Sequence, residues 1–344
     1  MSYKTSLNNI NPENSAFLIG NGINYYAGTN EDCSKCINRN ICEDKPTTEF
    51  KCGWDSLLQE LCDIYEIPIT TRKLRDISFP ELASLAEIKI SSDTNGTALK
   101  SIAQFKGNLI ELITKYQIEQ DQHPVYKRLL HYAKEYNMPI ITTNFDMLLS
   151  QGFNEHRLSF KDDTFFSSND SYIWNYCYSD IQDHPDTDNF RDFINGFSVW
   201  HIHGNIKHPR SIKIGLDDYV NNCAKVKSMM SRKSKNDTLT TLFDLQPDKW
   251  IGRNTLLDII FHKNLIIVGL SLESQEVFLR WLLIQRKKYL NAMRNKYHAF
   301  RPKAWFVSKG DLCETSPQSL FFRTCGVEPI SVEKYCDIYM SFKV

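Results

Sequence analysis

The segment PIITTNFDMLL, residues 139–149, sets Thr142, Thr143, Asn144 and Asp146 at the end of an apolar run. A helix cap needs one such residue, because a single side-chain oxygen accepts from the first free N–H groups. Four polar side chains exceed that need. An amide and a carboxylate placed together can also hold sugar hydroxyls and stabilise developing positive charge. Capping turn and binding site are therefore the two readings of Asn144 and Asp146. The segment HIHG, residues 201–204, supplies an imidazole that can take up a proton near neutral pH. His203 reads either as a base or as a hydrogen-bonded core histidine. His201, two residues earlier, is expected to be structural. Two further turns, GNGIN at 20–24 and GLSL at 269–272, carry glycines that let backbone N–H groups approach a phosphate. The first lacks the third glycine of the usual dinucleotide fingerprint.

Each of these turns follows a short apolar stretch with strand character: SAFLI, PIIT, FSVW and NLIIV. Helical periodicity fills the intervals. WDSLLQELCDIY sets Leu57, Leu58, Leu61 and Ile64 on one face, and TALKSIAQFKGNLIELITKY aligns Leu99, Ile102, Leu109, Ile113 and Tyr116. FPELASLAEIKI, PVYKRLLHYAKEY, WIGRNTLLDIIF and ESQEVFLRWLLIQRKKYLNAM also read as helices, with KAWFVS and VEPIS as closing strands. Alternating strands and helices imply an α/β fold, a Rossmann-like mostly parallel sheet with helices on both faces. Residues 1–344 are expected to form one domain, with a Cys-rich insertion at 28–53, an inserted helical subdomain at 54–120 and a variable excursion at 205–245. Residues 151–196 show no sustained period and read as long loops with short helical pieces. The basic run KVKSMMSRKSK reads as a solvated loop. Ligands of such sheets sit beyond the carboxyl ends of the strands, so the four polar turns share one rim.

In order and wording these turns resemble the sirtuin-like family, whose members bind NAD and break its bond to nicotinamide. GNGIN resembles the first glycine loop, TTNFD the Asn-X-Asp motif, His203-Gly204 the catalytic histidine, and GLSL the late Gly-Ser ribose loop. SLESQEVFLRWLLIQRKK is similar to bacterial stand-alone members of the group. The resemblance implies that NAD is the substrate, that Asn144 positions water and ribose, that Asp146 orients the site and that His203 is the base. It implies binding roles for Gly20, Asn21, Gly22, Asn24 and Thr143 on one side, and for Gly204, Gly269, Ser271 and Leu272 on the other. Cleaving this bond builds oxocarbenium-like charge on the ribose, as glycoside hydrolysis does.

Departures from the family pattern narrow the activity. Deacylating sirtuins carry two Cys-X-X-Cys pairs after the histidine, whereas only Cys223 falls there in this chain. Their Pro-and-Arg signature after the first glycine loop gives way to the Cys-rich segment. Both differences favour plain hydrolysis of NAD to nicotinamide and ADP-ribose, which the resemblance links to bacterial antiphage defence. A non-catalytic module binding NAD or ADP-ribose and an NAD-dependent protein deacylase are the alternatives. An unchecked NAD hydrolase would kill its host, so gating by a homo-oligomer or by a partner defence protein is expected. The Phe278–Trp281–Leu282 face is either such an interface or core.

Lys plus Arg and Asp plus Glu both total 41, so no net field recruits nucleic acid or an anionic membrane. The N-terminus lacks an apolar signal core, and no apolar run reaches transmembrane length; the cytoplasm is the expected compartment. Cys33, Cys36, Cys42 and Cys52 cluster with the spacing C-X2-C-X5-C-X9-C. Four thiolates suit tetrahedral zinc, while an iron–sulfur cluster and free thiols are also compatible with that spacing. Cys177, Cys223, Cys313, Cys325 and Cys336 are scattered and expected to act as small hydrophobes.

Overall fold

A computed structural model describes residues 12–29, 54–68, 78–94, 98–120, 124–158, 171–181, 190–233, 239–241, 251–274, 276–296, 301–310 and 312–339. The first strand, β1 (Ser15–Ile19), is buried along its whole length. It is followed by β2 (Ile140–Thr142), β3 (Asn154–Arg157), β4 (Tyr176–Ser179) and β5 (Val199–His201). A separate hairpin of β6 (Ser231–Lys233) and β7 (Leu239–Thr241) precedes β8 (Asn264–Val268), β9 (Ala304–Lys309) and β10 (Val327–Val332). The main sheet has eight strands in the order β10-β9-β8-β1-β2-β5-β4-β3. All pairs from β10 to β5 are parallel, and only β5–β4 and β4–β3 are antiparallel.

The parallel strands read as unbroken apolar runs because helices cover both faces. Side chains divide between the two layers with period two. Ala16, Leu18, Leu265 and Ile267 enter one core with the helices Leu256–His262, Val277–Lys296 and Leu216–Met230. Phe17, Ile19, Ile266 and Val268 enter the other, against Gly22–Thr29, Pro124–Glu135 and Tyr335–Tyr339. Phe278 and Leu282 are buried and Trp281 packs on the first core, so that helix face is core rather than a free interface. Its side chains are consumed by contact with the sheet.

The helices Trp54–Ile64, Phe79–Thr94 and Ala98–Gln120 build a further apolar cluster around Leu61, Ala86, Phe105 and Leu109. Ile64 departs from its expected face and is exposed. Phe145, Ile212 and Ile214 join this cluster from the sheet's rim, so the helical layer is pinned beside the strand ends. Lys106 reinforces the attachment by donating to the Ile212 carbonyl at 2.6 Å.

Other segments also differ from the reading of the sequence. Residues 151–196 contain β3 and β4, whose four-residue lengths are too short to show a period. The basic run is partly helical: Val226, Met229 and Met230 are buried on Leu216–Met230, while Lys227 and Ser228 between them are exposed. Cys177 and Cys325 are buried as small hydrophobes, whereas Cys313 is exposed. No described helix is long and apolar enough to cross a membrane.

The chain builds outward from β1 through β2 to β5, then returns to the other side of β1 with β8. The switch point therefore lies between β1 and β8, the place where open α/β sheets take their ligands beyond the strand ends. Two glycine turns meet there without room for side chains. A Cβ on Gly22 would lie 2.6 Å from the Gly269 Cα, and one on Gly20 would lie 2.5 Å from the Gly269 carbonyl oxygen. Gly22→Ala should therefore lower stability by about 1–3 kcal/mol through overpacking. Gly107→Ala, at a helical site with open space around it, should raise stability by about 0.5–1 kcal/mol. Thermal melting of the two variants checks the contrast; equal effects would contradict the close approach.

Candidate functional site

Backbone bonds tie the first and last glycine turns together. Gly20 N–H donates to the Val268 carbonyl at 3.0 Å, and Gly22 N–H donates to the Gly269 carbonyl at 2.8 Å. Gly22 opens the helix Gly22–Thr29, which points its N-terminus at the rim. Leu272 is held at φ 49°, an unusual value for a leucine, with its side chain fully buried and its carbonyl accepting from Arg280 at 2.8 Å. Ser271 is exposed, and its carbonyl accepts from Gln318.

The TTNFD turn answers the question its composition raises. No helix follows it; the chain makes successive turns to Phe153. The Thr142 hydroxyl oxygen accepts from Asn144 N–H at 3.1 Å, and Thr143 N–H donates to the Ile19 carbonyl at 2.9 Å. Asp146 Oδ1 accepts from Leu148 N–H at 3.0 Å, and Oδ2 accepts from Asn24 Nδ2 at 2.7 Å. Asn24 is itself braced, donating to Asn21 Oδ1 at 2.9 Å and accepting from the Tyr126 hydroxyl at 2.9 Å. Burial raises the Asp146 pKa, opposed by these donors. Asp146 thus joins the TTNFD turn to the first glycine loop, with both oxygens engaged. Phe145 points the other way, into the helical layer.

Asn144 is left. Its Oδ1 and Nδ2 are buried and make no hydrogen bond within the protein. The same holds for both ring nitrogens of His203. Among the described residues, six buried side-chain polar atoms lack a protein partner, and four belong to these two residues. Such an atom costs about 1–3 kcal/mol where neither protein, water nor ligand satisfies it. The two residues are also register equivalents. Thr142 pairs with His201 across β2 and β5, and Asn144 and His203 each lie two residues further on. The unsatisfied groups are thus gathered beyond the ends of two neighbouring parallel strands.

Aromatic rings fix His203. Tyr219 stacks on it with centroids 5.5 Å apart and planes 12° apart, and Phe278 lies against it at 5.9 Å. Gly204, next in the chain, has φ 81° and passes so close to Ser211 that a Cβ would lie 2.3 Å from its carbonyl oxygen. Burial pushes the His203 pKa down to about 4, with nearby Asp218 acting in the opposite direction. The ring is neutral at pH 7 and has two nitrogens to offer.

The structure therefore joins Asn21, Asn24 and Asp146 in one hydrogen-bonded set, and Gly20, Gly22 and Gly269 in one close backbone contact. Cys33, Cys36, Cys42 and Cys52 lie outside the described residues. Among the described residues, no group of three or more His, Cys, Asp or Glu side chains is placed to hold a metal ion. Tyr126 and Tyr219 support the site without having been singled out in the sequence, and Phe278, read there only as interface or core, packs against His203. The spacing Tyr219–Cys223–Val226–Met230 is the signal that could have found the first of the ring partners.

The family model of the SIR2-like domain matches residues 139–330, more than half of the chain. The match begins at Pro139 and includes Asn144, His203 and the Gly269 turn. A search of curated proteins finds no match.

The buried environment of His203 predicts an unusual titration. Its ring should stay neutral as pH falls through 6.5 and take up a proton near about 4. NMR of the ring signals across that range reads the midpoint. A midpoint near 6.5 would mean that the ring is solvated and the site more open than described.

Proposed function

The chain belongs to the SIR2-like family, a family of NAD-dependent enzymes, and from that premise we propose that it is an NAD glycohydrolase. It cleaves the bond between nicotinamide and ribose, giving nicotinamide and ADP-ribose. The observation that carries the reading is the pair of buried side chains, Asn144 and His203, whose polar atoms have no partner within the protein. Such groups suit a ligand that brings its own donors and acceptors.

In the proposed reaction the glycosidic bond breaks and its electron pair leaves with nicotinamide. Positive charge develops on the ribose, and the Asn144 amide dipole and ordered water answer it. A water oxygen bonds to the anomeric carbon, and neutral His203 takes the proton that this water loses. An anionic dinucleotide in the crevice raises the proton affinity of the imidazole, easing that transfer. Asp146 acts at one remove, keeping the TTNFD turn registered against Asn24. The glycine turns at Gly20, Gly22, Gly204 and Gly269, with Asn21, Asn24, Thr143, Ser271 and Leu272, form the binding rim.

Hydrolysis is favoured over deacylation because a single cysteine, Cys223, follows His203 before β8. The two Cys-X-X-Cys pairs of deacylating sirtuins have no counterpart there. The likeness of SLESQEVFLRWLLIQRKK to bacterial stand-alone members supports a cytoplasmic role as a toxic effector of antiphage defence. Control then comes from assembly with further copies or with a partner protein.

Incubation with NAD alone, without an acylated peptide, should release nicotinamide and ADP-ribose in equal amounts by chromatography. Asn144→Ala and His203→Ala should each lower turnover roughly 10²–10⁴-fold. Neither removes a protein hydrogen bond from its side chain, so both variants should remain folded by circular dichroism. Near wild-type turnover in both variants would refute the assignment, as would intact NAD with the wild-type protein.

A further inference from the structure

His201 ends β5, one strand over from the TTNFD turn, and is buried. Its ring bridges two points of that turn. Nδ1 lies 2.9 Å from the Asn144 carbonyl oxygen, and Nε2 lies 2.6 Å from the Ser150 hydroxyl. A carbonyl can only accept, so Nδ1 carries the proton. The neutral ring then accepts from Ser150 at Nε2, and both ring nitrogens are satisfied. Burial holds the ring neutral, pushing its pKa down to about 4, with the Asn144 contact opposing that shift. The Tyr178 ring meets it edge-on at 5.7 Å and closes off rotation.

We propose that His201 is the positioning residue for Asn144, clamping the backbone of the TTNFD turn so that the amide side chain is presented to the substrate. The proposal rests on the NAD-cleavage reading and deepens it. Asn144 N–H is held from below by Thr142, and its carbonyl is held from the side by His201. The backbone is thus fixed at both its donor and its acceptor, while the side chain remains unbonded within the protein. Ser150 lies at the far end of the same turn, so one ring braces its beginning and its end. A side chain that merely filled space would need neither contact. The arrangement separates two histidines of one short motif: both His203 nitrogens stay unbonded within the protein, and His201 spends both on the loop.

The test compares His201→Phe, which keeps ring bulk without a donor, with His201→Asn, whose amide can place a donor where Nδ1 stood. With NAD as substrate, His201→Phe should lower kcat about tenfold to a hundredfold with KM little changed, the scale expected for a misplaced catalytic group. His201→Asn should recover most of that loss. In an Asn144→Ala background, His201→Phe should lower kcat no further, although its effect on melting temperature persists. Equal losses in His201→Phe and His201→Asn, or full additivity with Asn144→Ala, would overturn the positioning role. Nitrogen NMR of the wild-type ring keeps this outcome separate from failure of the NAD reading. A protonated Nδ1 and bare Nε2 at pH 7 are expected, and the opposite tautomer would overturn the clamp whether or not the protein cleaves NAD.

Discussion

The backbone contact between Gly22 and Gly269 governs where everything else at the rim can stand. Two parallel neighbours, β1 and β8, end at the same level and turn towards each other, and a Cβ on Gly22 would come within 2.6 Å of the opposing Cα. Because the contact is made by main chain, the two loops share one position rather than flexing independently. Asn24 extends that fixed point sideways to Asp146, and Asp146 fixes the TTNFD turn. The helical layer then locks the same turn from outside through Phe145. Asn144 sits between these restraints, so its environment is set by the fold and not by bonds of its side chain.

That placement is costly to the free protein. Four buried polar atoms on Asn144 and His203 find no partner within the chain, and a buried polar atom that neither protein, water nor ligand satisfies costs about 1–3 kcal/mol. The other polar side chains of the TTNFD turn carry no such cost. Thr142 and Asp146 accept from backbone N–H groups, and Asp146 also accepts from Asn24. Structural capping therefore explains part of the motif and leaves Asn144 over. His203 is comparable: Tyr219 and Phe278 fix its ring by packing alone, leaving both nitrogens available. Rigidity without internal bonding is what electrostatic preorganisation requires.

Much of this was legible in the residues. SAFLI and NLIIV read as strands of a covered, mostly parallel sheet, and the polar turns after them marked the rim. Antiparallel β3 and β4 were not legible, since four residues of mixed exposure, NEHR and YCYS, carry no period. The helix Leu216–Met230 was masked by its charges, which occupy its outer face while Tyr219 and Val226 face inward. His201 posed a different difficulty. Its partner is a backbone carbonyl 57 residues away, and a main-chain acceptor leaves no mark on residue type. The Asn24–Asp146 bond spans 122 residues; both partners belonged to recognisable motifs expected on one rim, but the bond itself is visible only in the structure.

The central claim is that the unpartnered atoms of Asn144 and His203, beyond the ends of β2 and β5, exist to meet a ligand whose diphosphate lies at the glycine turns of the neighbouring β1–β8 switch point. A crystal structure with ADP-ribose bound tests it most directly. The account predicts the diphosphate at the Gly20–Gly22 turn, and a ribose hydroxyl or ordered water within about 3.2 Å of both the Asn144 amide and a His203 nitrogen. ADP-ribose bound elsewhere, with Asn144 and His203 rotated into hydrogen bonds within the protein, would contradict it.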